Sequence, residues 1–162
     1  MSETVAVVVV TYNRAALLLR MLGGLAASEH RPDAVIVVDN ASTDHTQTVL
    51  AGARDAHPDL PLQVITTEEN LGGAGGFHRG VQAAYEQGYD RIWLLDDDVV
   101  PAPDCLSVLL AVDDELADCL MVVREDTAGR LVEKAALRFD LRNPLKIKPK
   151  TCLLYTSDAA DE

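Results

Sequence analysis

Five valines and one alanine run without interruption from Val5 to Val10. Side chains branched at Cβ pack well on a pleated surface, and a run with no polar alternation belongs to a strand buried on both faces. Such a strand needs a layer on each side of it, so the segment that follows should be helical. Ala15 to Ala27 fits, with Leu17, Leu18, Met21, Leu22 and Leu25 on one helical stripe and Asn13 available as a cap. The pattern then repeats. Ala34 to Val38 reads as a second buried strand, Ser42 or Thr43 starts a helix running to about Asp55, and Leu62 to Thr67 forms a third strand. A glycine-rich loop leads into a helix over Gly76 to Gln87, and Arg91 to Leu95 is a fourth strand ending in Asp96-Asp97-Asp98.

Strands alternating with helices at this spacing imply βαβ units with right-handed crossovers, hence a mostly parallel α/β sheet flanked by helices. All strand carboxyl ends then lie on one edge. Thr11, Tyr12 and Asn13, Asp39 and Asn40, the Asn70 loop and the aspartate triplet converge there, where open α/β sheets bind ligands. Beyond Pro101 the pattern weakens. Pro103 starts a helix over Asp104 to Asp118, Cys119 to Val123 resembles a strand, and Asp126 to Gly129 turns toward a returning Arg130 to Glu133.

Composition removes several classes. With 14 Lys+Arg against 26 Asp+Glu the chain has a formal net charge of −12, which opposes nucleic-acid binding by counterion release. The Val5 to Val10 run is far short of the ~20 apolar residues of a membrane helix. Met1-Ser2-Glu3 lacks the basic start of a signal peptide, so a cytoplasmic chain is expected. Cys105, Cys119 and Cys152 form no metal-ligand or C-x-x-C spacing and are expected to be buried thiols.

The triplet carries the sharpest chemistry. In an extended chain residues i and i+2 share a side, so Asp96 and Asp98 are expected to face one site and Asp97 to face away. Two such carboxylates suit Mg²⁺ or Mn²⁺, and an acidic surface turn is the plain alternative. Asp39 ends a strand, where its carboxylate can accept hydrogen bonds from a base or ribose; the alternative is a turn and helix cap. In the Asn70 loop, Gly72 and Gly73 permit close backbone approach ahead of a helix start that favours anions. The loop lacks the Gly-Lys-Ser/Thr ending of a P-loop. Arg79 is the cation placed near a diphosphate, against a solvated-helix alternative, and His78 is read as structural.

Together, Val9-Val10-Thr11-Tyr12-Asn13-Arg14, Val37 to Asp44, Asn70 to Gly76 and Leu95 to Asp98 resemble the successive signatures of family 2 glycosyltransferases with the GT-A fold. Phe77, Arg79-Gly80, Trp93 to Val99 and Pro101 look most like bacterial galactofuranosyl- and rhamnosyltransferases of cell-wall assembly. Gly129 to Glu133 and Phe139 to Leu141 are similar to the galactofuranosyl branch. The resemblance implies that Thr11 and Asp39 contact base and ribose, and that Asp96 and Asp98 serve the ribose, diphosphate and Mg²⁺ or Mn²⁺, with Arg79 near the diphosphate. The implied donor-binding set is Thr11, Tyr12, Asn13, Asp39, Asn70, Gly72, Gly73, Arg79, Asp96 and Asp97. The implied donor is a UDP- or dTDP-sugar, the acceptor a glycan or polyprenyl-linked sugar, and the reaction inverts the anomeric carbon. The family's general base lies on a later segment that is not found in this chain.

Cys152 to Glu162 reads unlike the preceding chain and resembles a translated sequencing adapter, encoded by TGT CTC TTA TAC ACA TCT GAC GCT GCC GAC and a final GA-initial codon. On this reading residues 1–151 are the N-terminal, nucleotide-binding part of a GT-A domain and residues 152–162 are a non-native tail. Weak metal-dependent nucleotide binding without sugar transfer is then expected. Arg138, Arg142, Lys146, Lys148 and Lys150 make the late segment basic, which would favour an anionic membrane face; a solvated loop is the alternative. A sugar-phosphate nucleotidylyltransferase would need a glycine-rich loop where Thr11 to Arg14 stands. A catalytically incompetent nucleotide-binding fragment is the remaining alternative.

Overall fold

The computed structural model describes residues 3–112 and, beyond them, four short strands together with residues 128 and 130. Strand β1 (Val5–Thr11) is followed by helix α1 (Ala15–Ala26), β2 (Ala34–Asp39), α2 (Thr46–Ala56), β3 (Leu62–Thr66), α3 (Gly72–Glu86) and β4 (Arg91–Asp96). These strands form one parallel sheet in the order β3-β2-β1-β4. The chain steps outward from β1 to β2 to β3 and then crosses back to β4 on the other side of β1. That reversal places α1 and α2 on one face of the sheet and α3 on the other.

The central strands explain themselves by their alternation. Val7 and Val9 of β1, with Val35 and Val37 of β2, meet Leu18, Met21, Leu22 and Leu25 of α1 and Leu50 of α2. Ala6 and Val8, with Ala34 and Ile36, face α3 through Ala84, Phe77 and Ala83. Both faces are covered, so the uninterrupted valine run costs nothing in exposure. Burying each such side chain contributes roughly 1.5–3 kcal/mol.

The starts of α3 and α2 differ from the sequence expectation for physical reasons. Helix α3 begins at Gly72 rather than Gly76, so most of the expected glycine loop is helical. Gly76, Gly80 and Ala84 are its buried residues, spaced one turn apart. A Cβ at Gly76 would lie 2.5 Å from Val10 Cγ1, and one at Gly80 would lie 2.3 Å from Val8 Cγ1. These glycines therefore serve close helix-to-sheet approach. Helix α2 begins at Thr46 rather than Ser42 or Thr43, because Asn13 and Asp39 engage that turn.

After β4 the chain turns through Asp97 and Asp98 into β5 (Val99–Pro101), a strand the sequence did not announce, and then α4 (Cys105–Leu110). The remaining strands among the described residues are β6 (Val123–Glu125), β7 (Leu137–Phe139), β8 (Ile147–Pro149) and β9 (Tyr155–Asp158). β9 pairs antiparallel with β5 and parallel with β6, while β7 and β8 pair with each other. Of the strand expected over Cys119 to Val123 only Val123 is described, where β6 begins, and of the return expected over Arg130 to Glu133 only Arg130; the other residues of both, and the rest of the 152–162 tail, lie outside the described residues. Among the described residues no helix is long and apolar enough to cross a membrane.

Candidate functional site

At the carboxyl edge of the sheet, where the strand order reverses between β1 and β4, lies a cleft of about 500 Å³. Val10, Thr11, Tyr12 and Arg14 line it from β1 and the turn beyond, and Asp96, Asp97 and Asp98 line it from the end of β4. Asn40, Asn70 and, from α3, Gly72, Gly73 and Phe77 complete the wall. The first turn of α3 brings backbone N–H groups to this edge, a setting that favours anions.

The aspartate triplet does not alternate as an extended chain would. β4 ends at Asp96, and the turn that follows rotates Asp97 inward. Asp97 is 4% exposed, accepts a 2.8 Å hydrogen bond from Thr11 Oγ1 and takes a 3.1 Å bond from Arg14 Nη1. The same Arg14 nitrogen lies 3.2 Å from Asp98 Oδ2. The expectation that Asp97 faces away is thus corrected: Asp97 lines the cleft and is the most deeply held of the three. Burial pushes the Asp97 carboxyl above the usual carboxylate range, opposed by Thr11 and Arg14. The hydrogen bond to Asp97 raises the Arg14 guanidinium further above its already high value.

Asn40 organises the opposite wall. It is 2% exposed, and its amide nitrogen donates to Asn70 Oδ1 at 2.8 Å and to the Gly72 carbonyl at 3.1 Å. Its Oδ1 accepts from the Leu71 N–H at 2.9 Å and from Thr67 Oγ1 at 3.2 Å. Both donors and both acceptor positions of the amide are used, so this one side chain fastens the start of α3 to the end of β2.

Asp39 is buried beside the cleft but does not line it. Its carboxylate accepts from the Ser42 N–H at 3.0 Å and from Gln47 Nε2. Asn13 adopts φ 52° and turns its side chain to the next loop, accepting from the Thr43 N–H at 2.7 Å. It therefore does not cap α1; Asp44 accepts from the first α1 N–H, that of Ala15, at 3.2 Å. Asp44 also binds Thr46, whose hydroxyl holds its carboxyl below the usual range. Arg79 is exposed on α3 and outside the cleft lining. Because α3 starts early, Arg79 stands two turns into it and about 200° around the axis from cleft-lining Phe77.

Arg14, Asn40 and Phe77 are cleft residues that were not singled out as ligand contacts from sequence. The signal for Arg14 was available, since it follows Asn13 in the same turn after β1. Cys105, elsewhere in the fold, is buried as expected, and burial pushes its thiol up to about 11.

Among the described residues no three His, Cys, Asp or Glu side chains converge to hold an ion unaided. Asp96 is exposed, and Asp98 keeps one oxygen free of Arg14. Two available carboxylates fit Mg²⁺ or Mn²⁺, which use one or two protein carboxylates and complete their shell with water and substrate phosphates.

A parallel sheet reversing at β1/β4, with an acidic turn and a helix start at the reversal, defines a GT-A domain, the α/β architecture of its structural neighbours. The chain belongs to glycosyl transferase family 2, whose profile matches residues 6–156. It is 39% identical over 111 residues to the galactofuranosyltransferase GlfT1 of Mycolicibacterium smegmatis, covering 68% of this chain and 35% of that protein. It is 29% identical over 136 residues to the abequosyltransferase RfbV of Salmonella typhimurium, covering 83% and 38%. Staphylococcus aureus TarS 1–349 in complex with UDP-GlcNAc superposes with a TM-score of 0.64 at 28% identity, covering 79% of this chain and 36% of that one. Mannosyltransferase PcManGT from Pyrobaculum calidifontis, in complex with GDP-Man and Mn²⁺, gives 0.59 at 28% identity, covering 78% and 36%. The chain spans about a third of the length of the curated relatives it matches.

Proposed function

We propose that this chain is the donor-nucleotide part of a glycosyltransferase that moves a sugar from a nucleotide-sugar to a glycan or polyprenyl-linked acceptor, with inversion and with help from a divalent cation. The observation that carries this is the cleft at the strand reversal, where Thr11, Arg14 and the Asp96–Asp98 turn meet the start of α3. Galactofuranose is the favoured sugar because relatives at 39% identity are galactofuranosyltransferases. Rhamnose from a dTDP donor is the alternative.

Asp96 and Asp98 would hold Mg²⁺ or Mn²⁺, which, when bound, neutralises charge on a departing nucleoside diphosphate. The chain's own contribution is placement. Thr11 and Asp97 fix the acidic turn against β1, and Asn40 fixes the start of α3 against β2 through the Leu71 N–H and the Gly72 carbonyl. Donors held rigidly before the reaction stabilise developing charge without reorganising. A general base for the acceptor hydroxyl belongs to the remaining length of the parent protein, and residues 152–162 are read as a non-native tail. By itself the 162-residue chain is then a nucleotide-binding piece without transfer activity. The basic residues between Arg138 and Lys150 would favour the parent's approach to the inner face of the plasma membrane.

The test is a calorimetric titration of the purified chain with UDP and dTDP, with and without Mn²⁺, beside a transfer assay of the chain and of the uninterrupted parent. Metal-enhanced binding of a nucleoside diphosphate by the chain, with transfer only by the parent, supports the reading. No nucleotide binding under any metal condition rejects it, and transfer by the short chain rejects the claim of incompetence.

A further inference from the structure

The arrangement of charge in the acidic turn is more specific than a pair of free carboxylates. One nitrogen of Arg14 bridges Asp97 Oδ1 at 3.1 Å and Asp98 Oδ2 at 3.2 Å. The other Asp97 oxygen is taken by Thr11. Asp97 is therefore satisfied on both oxygens and buried, while Asp98, with a side chain 21% exposed, is held only by Arg14 among the described residues. Asp96 is exposed, and its carboxylate accepts no hydrogen bond from the described residues. Arg14 itself is 52% exposed in its side chain, so it can leave Asp98 without opening the core.

We propose that Arg14 is a built-in place-holder for the divalent cation: its guanidinium neutralises the Asp97–Asp98 turn, and an ion that binds the free oxygen of Asp98 is opposed by that charge and drives the guanidinium off the carboxylate. This rests on the glycosyltransferase reading above and adds a positioning residue to it. Two cations cannot share Asp98 without repulsion. At 4 Å in water a unit charge against a divalent ion changes an affinity on the order of thirty-fold, and physiological salt reduces this. The competition has a functional consequence. An ion arriving with the negative charge of a donor diphosphate supplies a new partner for the displaced guanidinium, so donor and metal assist each other, whereas the ion alone is opposed.

The opposing structural view makes Arg14 a clamp that shapes the turn, and it predicts the opposite sign. Under the place-holder, Arg14→Met tightens Mn²⁺ binding in the absence of nucleotide by about ten-fold, and the benefit of adding UDP shrinks. Under a clamp, Arg14→Met loosens the carboxylates and weakens Mn²⁺ binding. Arg14→Lys, which keeps the charge, stays within about two-fold of the unsubstituted chain if competition of charge is the cause.

The experiment is calorimetric or electron-paramagnetic titration of Mn²⁺ into the 162-residue chain and both variants, each with and without UDP. In parallel, the guanidinium resonances of Arg14 are followed in the unsubstituted chain during a Mg²⁺ titration. The expected result is tighter Mn²⁺ binding by Arg14→Met alone, and a shift of the Arg14 signals as Mg²⁺ saturates. Unchanged or weaker binding by Arg14→Met, equal tightening by both variants, or Arg14 signals indifferent to saturating Mg²⁺ each overturn the proposal. If no chain binds Mn²⁺ even with UDP while UDP itself binds, the metal-assisted reading falls with it; if UDP also fails to bind, the glycosyltransferase reading falls as a whole.

Discussion

Thr11 Oγ1, at the end of the first strand, donates a 2.8 Å hydrogen bond to Asp97 Oδ2 in the turn after the fourth strand, 86 residues later. Both residues are at most 4% exposed. The bond joins the two strands that flank the sheet reversal and fixes the acidic turn that lines the cleft. Thr11→Val keeps the shape and removes the donor, leaving a buried carboxylate oxygen unsatisfied. A loss of about 1–3 kcal/mol in unfolding free energy is expected, with Thr11→Ser losing less. Equal urea midpoints for Thr11→Val and the unsubstituted chain would show that the bond does not hold the turn.

Asn40 makes four hydrogen bonds that tie residues 67–72 to β2. Asn40→Ala should release the start of α3 while the sheet survives. Hydrogen exchange at the Leu71 amide is expected to accelerate by at least ten-fold, with little change at Val7 or Val37. Uniform acceleration over the whole chain would mean that Asn40 supports global stability and has no local role.

Glycines on α3 and α2 should respond in opposite directions to the same substitution. A Cβ at Gly80 meets Val8 and Val38 in the core, so Gly80→Ala is expected to destabilise by about 1–3 kcal/mol despite better helix propensity. Gly52 has nothing within 4 Å of its Cβ position, so Gly52→Ala should stabilise by roughly 0.5–1 kcal/mol. Thermal or urea unfolding decides this, and the packing argument fails if Gly80→Ala gains stability.

Asp44 has a pH signature whose sign follows from its partners. Thr46 and the Ala15 N–H favour the ionised form, so the folded-state value lies below the unfolded one. Its contribution is therefore present above the unfolded value near pH 4 and is lost as pH falls through the lower folded value. Carboxyl chemical shifts followed by NMR should show Asp44 titrating below the usual carboxylate range, and Thr46→Val should move it upward. No movement in that variant would remove Thr46 as the cause.

Cys105 is buried in α4, with its thiol pushed up to about 11. The thiolate is the reactive species, so at pH 8 alkylation should be slow in the native chain and fast after denaturation. Peptide-resolved mass spectrometry isolates Cys105 from Cys119 and Cys152. Equal native and denatured labelling rates would contradict its burial.

The sequence by itself determined the layered α/β plan. Runs such as Val5 to Val10 and Ala34 to Val38 can be satisfied only by helices on both sides, and the helical stripe of Leu18, Met21, Leu22 and Leu25 supplies one of them. Parallel βαβ topology gathers the strand ends on one edge, which is why Thr11, Asn70 and Asp96 to Asp98 are legible as neighbours from the sequence. Tertiary structure alone decided where their side chains point. Asp97 turns inward because β4 stops at Asp96, a boundary that three identical residues cannot encode by periodicity. The glycines after Asn70 read as a ligand loop, yet Gly76 and Gly80 are needed for the contact of α3 with Val10 and Val8, a distance requirement between segments remote in sequence. Asn13 and Asp39 carry ordinary turn chemistry locally; only the folded chain shows that they spend it on the loop between β2 and α2, while Arg14 and Asn40 face the cleft. Local pattern fixes which segments are buried, whereas hydrogen-bond partners are chosen by neighbours that the fold brings together.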